Sequence, residues 1–304
     1  MPQGTGDIKR RIKSVTSTNK ITKAMELVSA AKMRKAIARV LSTRSYADLT
    51  WSMIMRLMKR IDTTEHPFFR EEKEVKNVAI ILISTNRGLC GSFNAQLAQK
   101  AIDSIKLHHP KSTNTDIITY GIKGREEMAR RGLNLVADFP KNDIIDNSTD
   151  VLPIAHLLVK DFQAKKYDKV FVAYMDFLSS LKQMPHVKQL LPFSAHIDER
   201  LGHVIHEKEN EDKISIDNIA EFTFEPSREE ILDLFLPRLI EVQLYQAVLE
   251  SEASEYSARM FAMRNASDAA TDMINELTLV YNQARQANIT SELAEISAGS
   301  AALE

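Results

Sequence analysis

Apolar residues recur at helical spacing near both ends of the chain and gather in short unbroken runs between them. From Arg238 to Ala298 there is no glycine and no proline, and the stretch is filled with Ala, Leu, Met, Glu, Gln and Arg. These residues cost least in a helix. Met260, Met263, Ala270, Ile274, Leu277, Tyr281 and Ala284 recur mostly every three or four residues, with one seven-residue step across Ser267, which predicts one long helix with an apolar stripe. At 1.5 Å per residue it would run roughly 90 Å, too long for a compact domain, so it must protrude and needs a partner.

The sequence offers that partner at its other end. Between Gly6 and Pro67 glycine and proline are again absent, and Ile37, Val40, Leu41, Ala47, Trp51, Ile54, Met58 and Ile61 keep the same period. Charge favours pairing the two helices. Residues 1–61 hold fourteen Lys or Arg against three acids, while 238–304 hold ten acids against four Arg. Exposed ion pairs each contribute only tenths of a kcal/mol, so an apolar seam is expected to carry stability and charge to set orientation.

The texture changes between the helices. Val75 to Ser84 reads as a buried strand, Thr85 to Gly91 as a turn, and Ser92 to His108 as a helix. Asp116 to Tyr120 follows as a strand, then a short helix from Lys123 to Arg131, a helix from Asp150 to Lys165 and a strand from Lys169 to Tyr174. Strands separated by helices imply parallel pairing through right-handed crossovers, hence a small open α/β sheet. A further strand is expected around Val187 to Leu191, then a polar loop over 203–213, and Ser227 is placed as an N-cap. Pro237 is expected to kink or restart the second helix. The domain reading is a helix over 1–66, an α/β domain over 67–225 and a helix over 226–304.

Composition narrows the class. With 304 residues and 44% apolar content the chain can bury a sizeable core. No run of eighteen apolar residues exists and no secretory leader is evident, so a soluble protein is expected. Cys90 is the single cysteine, which excludes an internal disulfide.

Candidate chemistry is sparse. The turn Asn86-Arg87-Gly88-Leu89-Cys90-Gly91-Ser92 has the position of a phosphate loop but neither G-x-G-x-x-G nor G-K-[ST], so its glycines read as serving a tight strand-to-helix turn. Gly121-Ile122-Lys123-Gly124 has the form of a nucleic-acid-clamping loop without the surrounding module. His196, His203 and His206 lie near Asp198 and Glu199 without metal-ligand spacing. Cys90 reads as a buried packing residue. No nucleophile, base or paired-carboxylate frame is recognisable, so a non-enzyme without a cofactor is expected. The basic face from Lys9 to Lys35 leaves open a helical nucleic-acid-binding protein, and the Arg87 to Ser92 turn a nucleotide-binding enzyme.

Three stretches carry a family resemblance. Ile21 to Met33 (ITKAMELVSAAKM), Ile83 to Asn94 (ISTNRGLCGSFN) and Leu277 to Ala301 (LTLVYNQARQANIT followed by SELAEISAGSA) are similar, in that order, to the γ subunit of F-type ATP synthases. The resemblance implies an antiparallel coiled coil joined to a mainly parallel, Rossmann-like α/β domain. It also implies a central rotor shaft turning inside a ring of α and β subunits, with the α/β domain on the c ring beside ε, and catalysis elsewhere. No nucleic acid is implied as a partner. The place implied is peripheral, on the cytoplasmic face of a bacterial plasma membrane. By motif, Lys23, Met25 and Lys32 would face an acidic lever of β, Arg285, Gln286, Thr290 and Glu292 would make catch contacts with β, and Glu225 would point towards the c ring. The small, nearly uncharged run Ser297 to Leu303 suits a tip turning in an apolar sleeve. Ser300 stands where the family usually has alanine, and the paired cysteines of chloroplast members are absent.

Overall fold

The structure, a computed structural model, describes residues 5–58, 66–70, 72, 74–108, 114–142, 147–193 and 228–301, with side chains omitted for 44–58, 108, 228–229 and 299–301. In chain order the elements are α1 (Thr5–Met58), β1 (Asn77–Ile83), α2 (Phe93–His108), β2 (Asn114–Tyr120), α3 (Ile122–Arg130), β3 (Asn134–Phe139), α4 (Leu152–Gln163), β4 (Lys169–Phe177), β5 (Gln183–Leu191) and α5 (Arg228–Ala301). They form two compact units, one of residues 31–258 and one of residues 1–30 with 259–304.

In the larger unit the five strands form one sheet in the order β3-β2-β1-β4-β5. The first four pair in parallel, and for β1, β2 and β4 this is the pairing that the alternation of strands and helices predicts. Strand β1 shows why the sequence folds this way. Ala79, Ile81 and Ile83 enter one core while Val78, Ile80 and Leu82 enter the other, so an unbroken apolar run is buried on both faces. Residues of α2, with Met128 of α3, cover one face. Residues of α4 cover the other, with Leu232, Leu236, Leu239, Ile240, Leu244, Ala247 and Val248 of α5.

Several features go beyond or depart from the sequence reading. Strand β5 returns antiparallel to β4 through a tight turn in which Ser179 and Lys182 exchange backbone hydrogen bonds of 3.0 and 3.2 Å. A hairpin needs no crossover helix, so alternation alone missed its hand. Strand β3 was not anticipated at all. It is an edge strand whose residues alternate between exposed and half-buried, so it lacks the apolar run that marks β1. The helix expected from Asp150 begins instead as a 3-10 turn over Ser148–Val151, and α4 follows. Helix α5 runs through Pro237 as one element. A proline there costs about 3 kcal/mol, and burial of Leu236, Leu239 and Ile240 around it offsets that.

Within the same unit, Ala36 and Val40 of α1 pack with Leu249, Ala253 and Tyr256 of α5 and with Phe177 at the end of β4. Thr43 donates to Gln246 at 3.0 Å and Arg39 lies 3.9 Å from Glu252, so the two helices run antiparallel there. Leu41, assigned to the seam from its spacing, is instead half exposed, because Ala36 and Val40 take the inward positions.

In the smaller unit the inward positions of α1 are Ile8, Ile12, Val15, Asn19, Thr22, Glu26 and Ser29, spaced three or four apart. On α5 they are Met260, Met263, Ser267 and Ala270, with Ile274, Leu277, Tyr281 and Ala284 half-buried. The stripe read from the sequence on α5 is therefore the inward one. The seam is not apolar throughout, however. Asn19 Nδ2 donates to Ser267 O at 3.0 Å and Thr271 Oγ1 at 2.8 Å, and Ser267 Oγ donates to Thr22 Oγ1 at 2.7 Å. The order of these pairs makes this stretch antiparallel as well.

Ser227, Glu225, His196, His203, His206 and the polar stretch 203–213 lie outside the described residues, as does Ile61; so do the side chains of Ala47, Trp51, Ile54 and Met58.

Candidate partner-contact surface

The stretch Ile21 to Met33 of α1 is built inside out. Its inward residues Thr22, Glu26 and Ser29 are polar, and its apolar residues Ile21, Leu27 and Val28 are more than half exposed. An amphipathic helix of a self-contained protein does the reverse. Hydrogen bonding within the smaller unit makes the inversion tolerable. Glu26 is 5% exposed and accepts from Lys23 Nζ at 2.8 Å and Arg264 Nε at 3.1 Å. Those two hydrogen bonds, Lys23's first, hold its carboxyl below the usual range. Met25 is half-buried and Lys23 keeps 56% of its side chain in solvent. In the larger unit Lys32 is half-buried, its ammonium 5.3 Å from the centre of the Tyr256 ring.

Arg285, Gln286, Thr290 and Glu292 all lie on the part of α5 that is exposed on every side, from Arg285 to Ala298. Thr290 Oγ1 bonds back to Gln286 O at 2.9 Å, as hydroxyls do within helices. Ile289, Leu293 and Ile296 are 48%, 62% and 70% exposed on the same stretch. Three large apolar side chains bare to solvent on one helix mark a surface made to be covered.

The remaining candidates resolve into packing. Cys90 is buried, and the turn that holds it is closed by its own groups. Thr85 N–H donates to Asn94 Oδ1, Thr85 Oγ1 to Arg87 O, and Asn94 Nδ2 to Thr85 Oγ1 and Cys90 Sγ. At Gly121 and Gly124 a Cβ would come 2.7 Å from Ser84 O and 2.6 Å from Ser84 Oγ. The two glycines let α3 start against the end of β1, where Ser84 Oγ accepts from Gly124 N–H at 2.8 Å.

An open α/β sheet holds ligands at the carboxyl ends of its strands where the strand order reverses, here between β1 and β4. That position is filled by α5. Ser251 Oγ donates to Ile83 O and Ser254 Oγ to Met175 O, at 3.3 and 3.2 Å. Neither these serines nor the polar inward residues of α1 were singled out from sequence; on α5 the break in the apolar stripe at Ser267 was visible. The recurrence of Ser251, Ser254 and Ser257 every third residue was the available signal.

Comparison with known proteins then decides the family. The family model described as ATP synthase matches residues 4–303. The ATP synthase gamma chain of Roseiflexus castenholzii is 42% identical over 300 residues, covering 98% of both chains. The chain belongs to the ATP synthase gamma family. The gamma chains of Herpetosiphon aurantiacus and Legionella pneumophila are similar to it at 42% and 36% identity, covering 98% and 99% of each chain. Its fold is also that of solved ATP synthase chains. One from the Euglena gracilis mitochondrial enzyme matches with a TM-score of 0.66 at 18% identity, covering 98% of this chain and 94% of that one. One from the Tetrahymena thermophila central stalk matches at 0.60 and 24% identity, covering 81% and 99%. The inverted stretch of α1 and the bare end of α5 both lie within the residues that the family model matches.

Proposed function

We propose that the chain is the central rotor shaft of a proton- or sodium-driven ATP synthase. It couples rotation of a membrane ring of c subunits to the conformational cycling of catalytic β subunits in a head of alternating α and β. Its partners are then α, β, ε and the c ring, and it takes no nucleic acid and no cofactor of its own. The observation that carries this reading is the end of α5, where residues 285–298 are exposed on all sides and bare Ile289, Leu293 and Ile296. A helix of this kind gains its stability from a surrounding surface rather than from its own chain. The Euglena neighbours are an ATP synthase rotor and an OSCP/F1/c-ring assembly in stated rotational states, which supports a turning part.

On this reading the chain is non-catalytic. Occupation of the sheet's ligand position by Ser251 and Ser254 supports that, as does a turn at 86–92 closed by its own side chains. Lys23, Met25 and Lys32 face an acidic lever of β, Arg285, Gln286, Thr290 and Glu292 engage β higher on the shaft, and Glu225 points towards the c ring. The chain is peripheral, on the cytoplasmic face of the membrane; among the described residues no helix is long and apolar enough to cross one.

Co-expression with matched α and β subunits tests the reading. One copy per three αβ pairs should co-elute, with ATPase activity that depends on Arg285, Gln286 and Met25. Elution of the chain alone, with head activity unchanged by its absence, overturns it.

A further inference from the structure

A shaft that carries torque must be prevented from turning or slipping where it meets the body that drives it. In the larger unit, α5 crosses the ends of β1 and β4 with three serines on one slanted row. Ser251 Oγ donates to Ile83 O at 3.3 Å, Ser254 Oγ to Met175 O at 3.2 Å, and Ser257 Oγ to Ser180 O in the β4–β5 turn. Gln183 Nε2 at the start of β5 donates to Ser257 Oγ at 3.3 Å. At i, i+3 and i+6 the row climbs about 9 Å along the helix, so its acceptors are spread along the axis rather than clustered at one point. Beside the row, Lys141 Nζ, with only 5% of its side chain exposed, bonds Glu255 Oε2 at 2.8 Å and reaches Ser84 O at 3.5 Å.

Apolar contacts resist separation but tolerate sliding, because the hydrophobic effect has no direction. Hydrogen bonds weaken steeply with angle and distance, so a row of them resists rotation of the helix about its own axis. The three serines are fully buried or nearly so, which shields the bonds from competition by water. A helix needing only burial here would use alanine, the best helix former and a close match in size.

We infer that Ser251, Ser254 and Ser257, with the Lys141–Glu255 pair, form a torque joint that keys α5 to the strand ends of the α/β domain. The inference rests on the shaft reading above and adds to it where the load passes. These are positioning residues, acting on the stiffness of the shaft and not on any reacting group. The joint takes the place of a ligand: the crevice that other open α/β sheets give to a cofactor is here a socket for a helix.

The test uses the assembled ATP synthase with its head immobilised and a rod attached to the c ring. Angular fluctuation of the rod at rest reports torsional stiffness, and ATP-driven rotation reports function as a shaft. Ser251→Ala with Ser257→Ala should widen the angular variance by about twofold or more, while ATPase turnover of the head stays at the wild-type rate. Lys141→Met, measured separately, should widen it in the same direction and guards against a serine variant that fails to fold. Thr278→Ala on the same helix, at an exposed position whose hydroxyl donates back to Ile274 O of its own helix, should leave the variance unchanged. Wild-type variance in both joint variants, with normal assembly, overturns the joint. Failure of the wild-type chain to rotate at all overturns the shaft reading instead.

Discussion

Glu26 of α1 accepts a hydrogen bond from Arg264 of α5 at 3.1 Å, across a seam where apolar residues would be the ordinary choice. Lys23 bonds its other oxygen at 2.8 Å, so both oxygens of a nearly buried carboxylate are satisfied. The pair therefore specifies register as a polar residue does at a coiled-coil core position. Removing Arg264 leaves Glu26 to Lys23 alone. Arg264→Ala should destabilise the chain by about 1–3 kcal/mol, read as a lower urea midpoint at pH 7. Glu26 has its pKa lowered from 4.5, so its contribution is present above that value and lost as pH falls through the folded-state pKa. The Arg264→Ala deficit should accordingly shrink on acidification, and a pH-independent deficit would contradict this account.

Glu252 behaves in the opposite sense. Burial pushes its carboxyl from 4.5 up to about 7, opposed by Lys141, Arg39 and Lys32 and reinforced by the charge of Glu255. Arg39 is 3.9 Å away, too far for a hydrogen bond, and Glu252 Oε2 has no hydrogen-bond partner among the described residues. A raised folded-state pKa gives stability that is complete below the unfolded value of 4.5 and lost as pH rises through about 7. Glu252→Gln should therefore stabilise at pH 8, on the order of 2 kcal/mol, and make little difference at pH 4. Thermal melts of the two proteins across that range check it; parallel curves would refute it.

Arg285 and Gln286 are exposed on a helix end with no described neighbour to lose. Alanine at either position should leave the free energy of unfolding within about 0.5 kcal/mol of wild type. In the assembled complex the same variants should lower ATPase turnover several-fold. A variant that changed stability and activity together would point to a structural role.

Gly124 has no room for a side chain, since a Cβ would meet Ser84 Oγ at 2.6 Å, Ser84 Cβ at 2.8 Å and Leu82 Cδ2 at 2.9 Å. Gly124→Ala should cost about 1–3 kcal/mol by overpacking. Ser84→Ala combined with it should recover part of that loss, because one of the three clashing atoms is gone. Additive losses in the double variant would show that the close approach is not the cause.

Much of this was legible in the sequence because the helices and β1 each follow one rule over many residues. The inward row Met260 to Ala284 of α5 was visible from its spacing, and β1 from its unbroken apolar run. Strand β3 escaped because an edge position buries only part of each residue. The seam around Asn19, Thr22, Glu26 and Ser29 escaped for a different reason. Periodicity looks for apolar residues, and there the inward side is polar while Ile21, Leu27 and Val28 face out. The terminal motifs gave the family without revealing that inversion. The serine row on α5 required knowing which carbonyls it meets, and those belong to strands some eighty or more residues away in sequence.

The bare end of α5 also bears on proteolysis. Residues 285–298 span about 20 Å at the end of α5 with no side chain buried by the described chain, so no packing holds that end against fraying. In an unassembled copy this stretch frays, and frayed backbone is where proteases cut. A copy enclosed by partners hides the same bonds. A protease should therefore cut a free copy first within this stretch, and the end of α5 separates free from assembled subunit by that test.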